Sequence, residues 1–335
     1  MIPAARPAVP GAGAVLTGTA YASCHHGEIL QGVFLDDRGH RCAGLVTLPM
    51  SGPGSRAEFV RRPGSPPEEL SVFPADRTKA RRAAALALAE CAPLCGEAPC
   101  GGQVRLTGGI PVGLGMGSST SDVIAVVRAV ADSFSLRLPS ETIARLAVRA
   151  ELACDPLMLD GRPVLFAQRE GRVLEVLGPA LPPVVVVGCV LGGGAPVDTL
   201  SLPVPVHDDE DVRAYERLRA LLRRAVVTGD VALLGAVATA SARRGQQRLG
   251  HAEFDALTDI AEAVGAVGVQ IAHSGAVAGL LFDPADARLA SRVAGCVRAL
   301  ESTGVPTTRT FTTLPHHHGV SAWTSTSPTR SAGRT

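Results

Sequence analysis

The sequence predicts a two-lobed protein built from mixed helices and strands. Its 335 residues suffice for two ordinary lobes. Amphipathic helical stretches alternate with short β-type runs along the chain. A Pro182-Pro183 step falls near the middle, just ahead of the most apolar run, 184–191, and marks the seam: lobes at 1–183 and 184–318, then a disordered tail, 319–335.

Composition narrows the class. Hydrophobic residues make up 46% of the chain, enough for a sizeable core, and with aromatics at 3% that core must be Ala, Val, Leu and Gly. The 32 basic and 31 acidic residues balance to +1, which argues against a nucleic-acid or membrane surface. Lys79 is the only lysine, a usage that fits a GC-rich bacterial genome. Eight cysteines are scattered; Cys91, Cys95 and Cys100 lie close together, but no second pair or His couple follows to complete a zinc set, so reduced cytosolic thiols are expected. The start, 1–20, lacks the compact apolar run of a signal peptide, and 184–191 is too short to span a bilayer. A soluble cytoplasmic protein is expected.

The elements follow in order. Residues 52–74, rich in Pro, Gly and Ser, read as an exposed connection between strands. An Ala-rich helix follows over 76–91, and 103–110 alternates like a half-buried strand. Residues 119–134 form a helix with Val123, Val126, Val127, Val130 and Phe134 on one face. Leu138-Pro139-Ser140-Glu141 starts another, with Ile143, Leu146 and Ala150 inward. Strands are expected at 164–168, 173–176, 184–191, 269–272, 277–282 and 307–313, and helices at 208–227, 231–243, 253–264 and 285–302.

The chemistry concentrates between the strand 103–110 and the helix behind it, in Gly109-Ile-Pro111-Val-Gly113-Leu-Gly115-Met116-Gly117-Ser118-Ser119-Thr120-Ser121-Asp122. Glycines at this spacing let the backbone turn with positive φ and approach a ligand closely. The following helix offers unpaired N–H groups and a partial positive charge, which favour phosphate oxygens. Ser118 and Ser119 add hydroxyls for phosphate or Mg²⁺. The Walker pattern needs a terminal Gly-Lys, absent here, and the run G-x-G-x-G is not the dinucleotide G-x-G-x-x-G. Ser119-x-x-Asp122 also makes a capping box, which explains those two residues but not three alternating glycines after a proline.

This loop resembles the phosphate motif of the GHMP kinases, named for galactokinase, homoserine kinase, mevalonate kinase and phosphomevalonate kinase. It has two extra residues after Pro111, and Thr120-Ser121 replace an alanine pair, but the Gly115-x-Gly117-Ser118-Ser119 core is intact. Ser23-Cys24-His25-His26-Gly27-Glu28-Ile29-Leu30-Gln31-Gly32 resembles the family's N-terminal Gly-Glu motif, in a form most like that of L-threonine kinases of cobalamin side-chain synthesis. Residues 268–279, with His273-Ser274-Gly275, resemble the C-terminal motif, whose glycine-rich turn buttresses the phosphate loop.

The resemblance implies an α+β fold, with a ribosomal-protein-S5-like N-terminal lobe and a ferredoxin-like C-terminal lobe, and with ATP and substrate in the cleft between them. It assigns Pro111, Gly113, Gly115, Met116, Gly117, Ser118, Ser119 and Thr120 to ATP. Glu151 would hold Mg²⁺ with Ser118 or Ser119, and Asp155 would face the acceptor hydroxyl, with Asp160 as fallback. On residue type alone, Glu151 could equally sit on a solvated face and Asp155 cap the turn before Pro156. Cys24, His25, Gly27, Glu28 and Gln31, with His273, Ser274 and Gly275, are assigned to the substrate. Adjacent His25 and His26 show no third ligand, so contact with substrate or nucleotide is favoured over metal, with plain packing for one of them. His273 reads as a substrate contact or a satisfied structural histidine, and 316–318 stays unassigned. The family's N-terminal lysine is missing, leaving Arg residues, Mg²⁺ and the helix N-terminus to stabilise charge.

The function implied is phosphorylation of a hydroxyl on a small amino-acid-like metabolite, L-threonine first. Homoserine or a specialised-metabolism alcohol is the alternative acceptor; a non-catalytic binder on the same scaffold and an ATP-driven decarboxylase are the other classes. The partner expected is the small hydroxyl substrate, with no nucleic acid or membrane, and a homodimer stays open.

Overall fold

A computed structural model describes residues 16–195, 207–273 and 275–313. The expected tail 319–335, residues 316–318 and Ser274 lie outside the described residues.

The chain opens with a long antiparallel ribbon, β1 (Leu16–Leu35) and β2 (Arg41–Arg62), in register from Leu16↔Arg61 to Leu35↔Arg41. Its turn is tied by Asp36, whose carboxylate accepts from the amides of Arg38 (3.0 Å) and His40 (2.8 Å). The ribbon overturns the expectation of a loop over 52–74. β2 runs straight through Gly52-Pro53-Gly54, and only 63–69 connects it to β3 (Leu70–Phe73). The physical reason is close approach: a Cβ on Gly54 would sit 2.3 Å from the Ala22 carbonyl oxygen, so glycine lets the strands meet there. Beyond it, Ala57 and Phe59 alternate inward and pair with β4 (Gly101–Gly108), which recovers strand patterning.

Helices α1 (Thr78–Leu94), α2 (Ser118–Ser133) and α3 (Ser140–Glu151) cover one face. Val123, Val126, Val127 and Val130 of α2 are fully buried, as their spacing predicts, and pack with Phe59, Val104 and Leu146 in one core. The hairpin β5 (Val164–Ala167) and β6 (Arg172–Val176) attaches to β2 through Leu45↔Phe166. The second half carries β7 (Val185–Val190), α4 (Asp209–Thr228), α5 (Val231–Leu249), α6 (Phe254–Val264), β8 (Gly268–Ile271), β9 (Val277–Phe282), α7 (Leu289–Ser302) and β10 (Thr307–Thr312). Helix α7 starts later than 285 because Asp283 and Asp286 hold the amides of Ala285 and Arg288 in turns (2.8 Å each). Helix α5 runs past 243 and stops where Gly250 turns left-handed.

The main sheet runs β10-β7-β9-β8-β1-β2-β4-β3, antiparallel except for β3 beside β4. Two further cores flank it. One joins Ile29, Leu30, Phe34 and Leu48 of the ribbon to Tyr215, Leu222 and Leu234 of α4 and α5; the other joins Val187, Leu280 and Phe282 to Leu257 and Leu300 of α6 and α7. β8 meets β1 through the pair Glu28↔Ile271. The sheet therefore passes from one half to the other at Glu28, beside the loop before α2. No described helix is long and apolar enough to cross a membrane.

Candidate active site

The glycine-serine loop folds as an open turn. Gly113, Gly115 and Gly117 take φ values of 79°, 84° and 68°, a left-handed conformation that costs side-chain-bearing residues dearly. Gly117 is the N-cap of α2, and no side chain caps the helix. This removes the capping-box reading. The Ser119 hydroxyl donates to Glu151 Oε2 (2.7 Å), while Asp122 is held by the Ser55 hydroxyl and lies 3.5 Å from Arg77 Nε. Among the described residues, the amides of Gly115, Met116, Gly117, Ser118 and Ser119 donate to no protein acceptor. The loop's carbonyls are used instead: Leu114 accepts from Val277 (2.9 Å) and Met116 from His25 (3.3 Å). The fold thus clamps the loop by its acceptors and leaves its donors without a protein partner among the described residues.

The C-terminal motif supplies one jaw of the clamp. Gly275 lies so close that a Cβ there would stand 2.2 Å from Gly115 N and from the Leu114 carbonyl carbon. Ala272 packs behind it, against Gly115.

The loop opens into a cleft of about 430 Å³. Val112, Gly113 and Gly115 to Thr120 line it, together with Glu151, Asp155, Glu28, Gln31 and His273. Pro111 sits exposed at the loop entrance, outside the lining. Cys24 also lies outside: its thiol packs on Met50 Sδ (3.8 Å), and burial pushes its pKa up to about 11.

Glu151 ends α3 with 6% exposure, and its two oxygens accept from Ser119 Oγ and Thr120 Oγ1 at 2.7 Å each. It does not sit on a solvated helix face. Burial raises its pKa to about 7, offset in part by the two hydroxyls, with Asp155 adding to the rise and Lys79 opposing it. Lys79 Nζ stands 3.9 Å away, at the start of α1. Sequence reasoning missed this lysine. A signal was present, because a chain with 32 cations uses lysine once, and that one faces the cleft.

Asp155 follows the left-handed Leu152, which ends α3, and precedes the short 3₁₀ turn Pro156–Leu159 without capping it. Its amide donates to Thr120 Oγ1 (3.4 Å), and its Oδ2 stands 3.1 Å from His25 Nε2, off the line of that N–H. The His25 ring is 1% exposed, and its Nδ1–H donates to the Gly27 carbonyl (3.1 Å). Burial alone would lower the His25 pKa; the Asp155 carboxylate, then Glu28 and the Gly27 carbonyl, outweigh it and raise the value to about 9. The same pairing lowers the Asp155 pKa against its burial. His25 is therefore an imidazolium at neutral pH, wedged against Gly117, where a Cβ would lie 2.6 Å from Nε2 and 3.1 Å from Asp155 Oδ2.

A bulge in β1 makes this possible. His25 pairs with Pro49 and Glu28 with Thr47, so His26 and Gly27 oppose Leu48 alone, and Gly27 takes φ 63°. The bulge re-aims Glu28 into the cleft, where Oε2 accepts from the His273 amide (2.8 Å). His273 lines the cleft with Nε2 3.3 Å from the Ser241 carbonyl. His26 points away: its Nδ1 bonds Gln270 Oε1 (3.0 Å), its ring packs on Phe311, and burial, with the charge of His25, lowers its pKa to about 4. Asp160, the fallback, lies outside the cleft lining, largely exposed and bonded to Arg128 Nη2 (3.0 Å).

Two donor sets could hold a cation. Ser119 and Glu151 offer hard oxygen donors beside the free loop amides, a chemistry that suits Mg²⁺. Donor atoms of His25, Glu28 and Asp155 also lie within 4.8 Å of one another, with His25 Nε2 and Asp155 Oδ2 3.1 Å apart.

The family model "GHMP kinases N terminal domain" matches residues 79–157, from the cleft lysine through Asp155. Two curated relatives, both L-threonine kinases, align: that of Salmonella typhimurium, 29% identical over 195 residues (54% of this chain, 60% of the relative), and that of Citrobacter freundii, 28% identical over 177 residues (52% and 60%). The chain thus spans about 60% of the length of the curated relatives it matches. Among solved structures, homoserine kinase from Cytophaga hutchinsonii superposes with a TM-score of 0.62 at 15% identity, covering 89% of this chain and 94% of its own. Motif, domain match and mixed α/β architecture converge on one likeness: residues 79–157 are similar to the N-terminal domain of GHMP kinases, and the whole fold is similar to that of a homoserine kinase.

Proposed function

We propose that the protein is an ATP-dependent kinase that phosphorylates the hydroxyl of a small amino-acid-like metabolite, L-threonine first. The observation that carries the reading is the set of unengaged amides from Gly115 to Ser119, opening into the cleft that holds Glu151 and Asp155. Phosphoryl transfer asks a protein mainly for positioning and charge neutralisation, and these groups supply both. The similarity to two L-threonine kinases favours threonine as acceptor.

On this reading the triphosphate lies on the loop, its oxygens taking the free amides and the Ser118 hydroxyl, with the first turn of α2 pointing at them. Ser119 and Glu151 would hold Mg²⁺, which would supply neutralisation of phosphate charge. Asp155 faces the acceptor hydroxyl and accepts its proton as the new bond forms. His25 is a positioning residue: its charge keeps Asp155 ionised and fixes it against Gly117. Lys79 and His25 supply the positive charge that the missing N-terminal lysine leaves open. With the lobe boundary at 183, loop and Asp155 come from the N-terminal lobe and His273 and Gly275 from the second.

The test is ADP release with Mg²⁺ and ATP against L-threonine, L-serine, L-homoserine and simple alcohols, with product identified by ³¹P NMR. Threonine-dependent ADP release with a phosphomonoester product is expected. ADP release accompanied by CO₂ would instead indicate a decarboxylase. ATP binding with no turnover of any acceptor would leave a binder.

A further inference from the structure

One wall of the cleft carries groups that phosphate binding leaves unused. Gln31 and Gln168 both line it, and the Oε1 of each is closed off from solvent with no hydrogen-bond partner among the described residues. Turning either amide end for end would leave a buried N–H unpaired in the same place, so the deficit belongs to the site and not to the atom assignment. Buried amide groups are normally satisfied, and two deficits on residues that line one cleft point to a ligand toward which these side chains turn when it binds.

The neighbours define that ligand's charges. Arg169 lines the same wall with no ion-pair partner among the described residues, whereas the cleft's other cation, Lys79, stands beside Glu151. Glu28 lies three residues before Gln31, and a register shift between Glu28 and Leu30 lets both line the cleft; its carboxylate has one oxygen used by His273. The floor between them is apolar: Leu45, 3% exposed, pairs with Gln31 in the sheet. The wall is also tied to the reacting end, because the Gln168 carbonyl accepts from the Cys154 amide (3.0 Å), one residue before Asp155.

We infer that this wall is a head-group subsite for an α-amino acid zwitterion. Gln31, Gln168 and the second oxygen of Glu28 take the α-ammonium; Arg169 takes the α-carboxylate; Leu45 meets the side-chain carbon. In a β-hydroxy-α-amino acid the hydroxyl and both charges sit on adjacent carbons, so their receptors must crowd around the group that faces the hydroxyl. Gln168 and Arg169 line the same cleft as Asp155, and the Gln168 backbone is bonded to the residue before it. The inference deepens the kinase reading and takes its Asp155 assignment from it.

The test separates the two. Steady-state kinetics compare L-threonine with 3-hydroxybutanoate, which lacks the ammonium, and with 1-aminopropan-2-ol, which lacks the carboxylate. In the unmodified protein, kcat/KM for threonine exceeds both. Gln168→Leu and, independently, Gln31→Leu lower the threonine to 3-hydroxybutanoate ratio by about 10- to 100-fold, the scale of a lost hydrogen bond to a charged group. Arg169→Ala lowers the threonine to aminopropanol ratio similarly, mainly through KM for threonine with KM for ATP unmoved. Ratios that stay put in all three variants, or an Arg169→Ala effect confined to KM for ATP, overturn the subsite. Calorimetric titration of L-threonine into the nucleotide-free protein reads binding without chemistry. Binding that weakens in Arg169→Ala and Gln168→Leu supports the subsite even if no acceptor turns over, and that second result would count against the kinase reading alone. No threonine binding to the unmodified protein overturns the subsite.

Discussion

Replacing Asp155 by Asn keeps the shape of the side chain and deletes the charge that holds His25 protonated. The imidazole is 1% exposed, and a buried cation without its partner sheds its proton instead of staying charged. In the intact protein burial lowers the His25 pKa and Asp155, with Glu28 and the Gly27 carbonyl, more than restores it, to about 9 against an ordinary 6.5, a net rise equivalent to about 3 kcal/mol. Because the folded value is raised, that stabilisation is fully present below pH 6.5 and is lost as pH climbs through 9. Two assays follow. NMR titration of the histidine ring protons should place His25 near 9 in the intact protein and at or below 6.5 in Asp155→Asn. Urea unfolding should show stability falling further between pH 6.5 and 9.5 in the intact protein than in Asp155→Asn, by up to about 3 kcal/mol, because the buried thiols, whose pKa values are also raised, add the same fall to both profiles. The variant should also lose at least ~10²-fold in kcat, the scale of a missing catalytic base. A His25 that titrates near 6.5 in both proteins, or a variant with full kcat, would refute the reasoning.

Other outcomes follow from the same geometry. Ser119→Ala removes a hydroxyl that serves Glu151 and the phosphate end, and should lower kcat by at least ~10²-fold, read by ADP release at saturating ATP. Gly275→Ala would drive a Cβ to 2.2 Å from Gly115 N, so the loop must shift; KM for ATP should rise at least ~10-fold while the melting temperature drops only a few degrees, measured by initial rates and thermal scans. His26, held neutral by burial with a pKa of about 4, makes the fold lose up to about 3 kcal/mol as pH falls from 6.5 to 4, since the unfolded chain binds the proton more readily. His26→Gln should flatten that acid limb in urea titrations at pH 7 and 4.5.

Much of this was legible from residue order, and the gaps have physical causes. The helices declared themselves through buried stripes such as Val123–Val130, and the loop through glycines whose spacing only a left-handed turn explains. Gly52-Pro53-Gly54 misled because its composition is that of a turn, while its role is to bring β2 against Tyr21 and Ala22 on a strand far away in sequence. The capping box at Ser119 was a local reading that tertiary contacts overrode, Glu151 drawing off the serine and Ser55 the aspartate. The pairing of His25 with Asp155 joins residues on opposite sides of the loop, and no spacing rule encodes such a distance. Lys79 was visible only as a compositional oddity. Gln168 and Arg169 carried no signal at all; the end of a short hairpin strand turns them toward the cleft.

The central claim is that the loop before α2 binds the phosphates of ATP through its backbone amides, and amide-resolved NMR tests it most directly. Titration of ¹⁵N-labelled protein with the non-hydrolysable analogue AMP-PNP and Mg²⁺ should move the amide resonances of Gly115, Gly117, Ser118 and Ser119 most and slow their exchange with solvent. If the analogue binds with those four resonances unmoved, the phosphates lie elsewhere and the kinase assignment is contradicted.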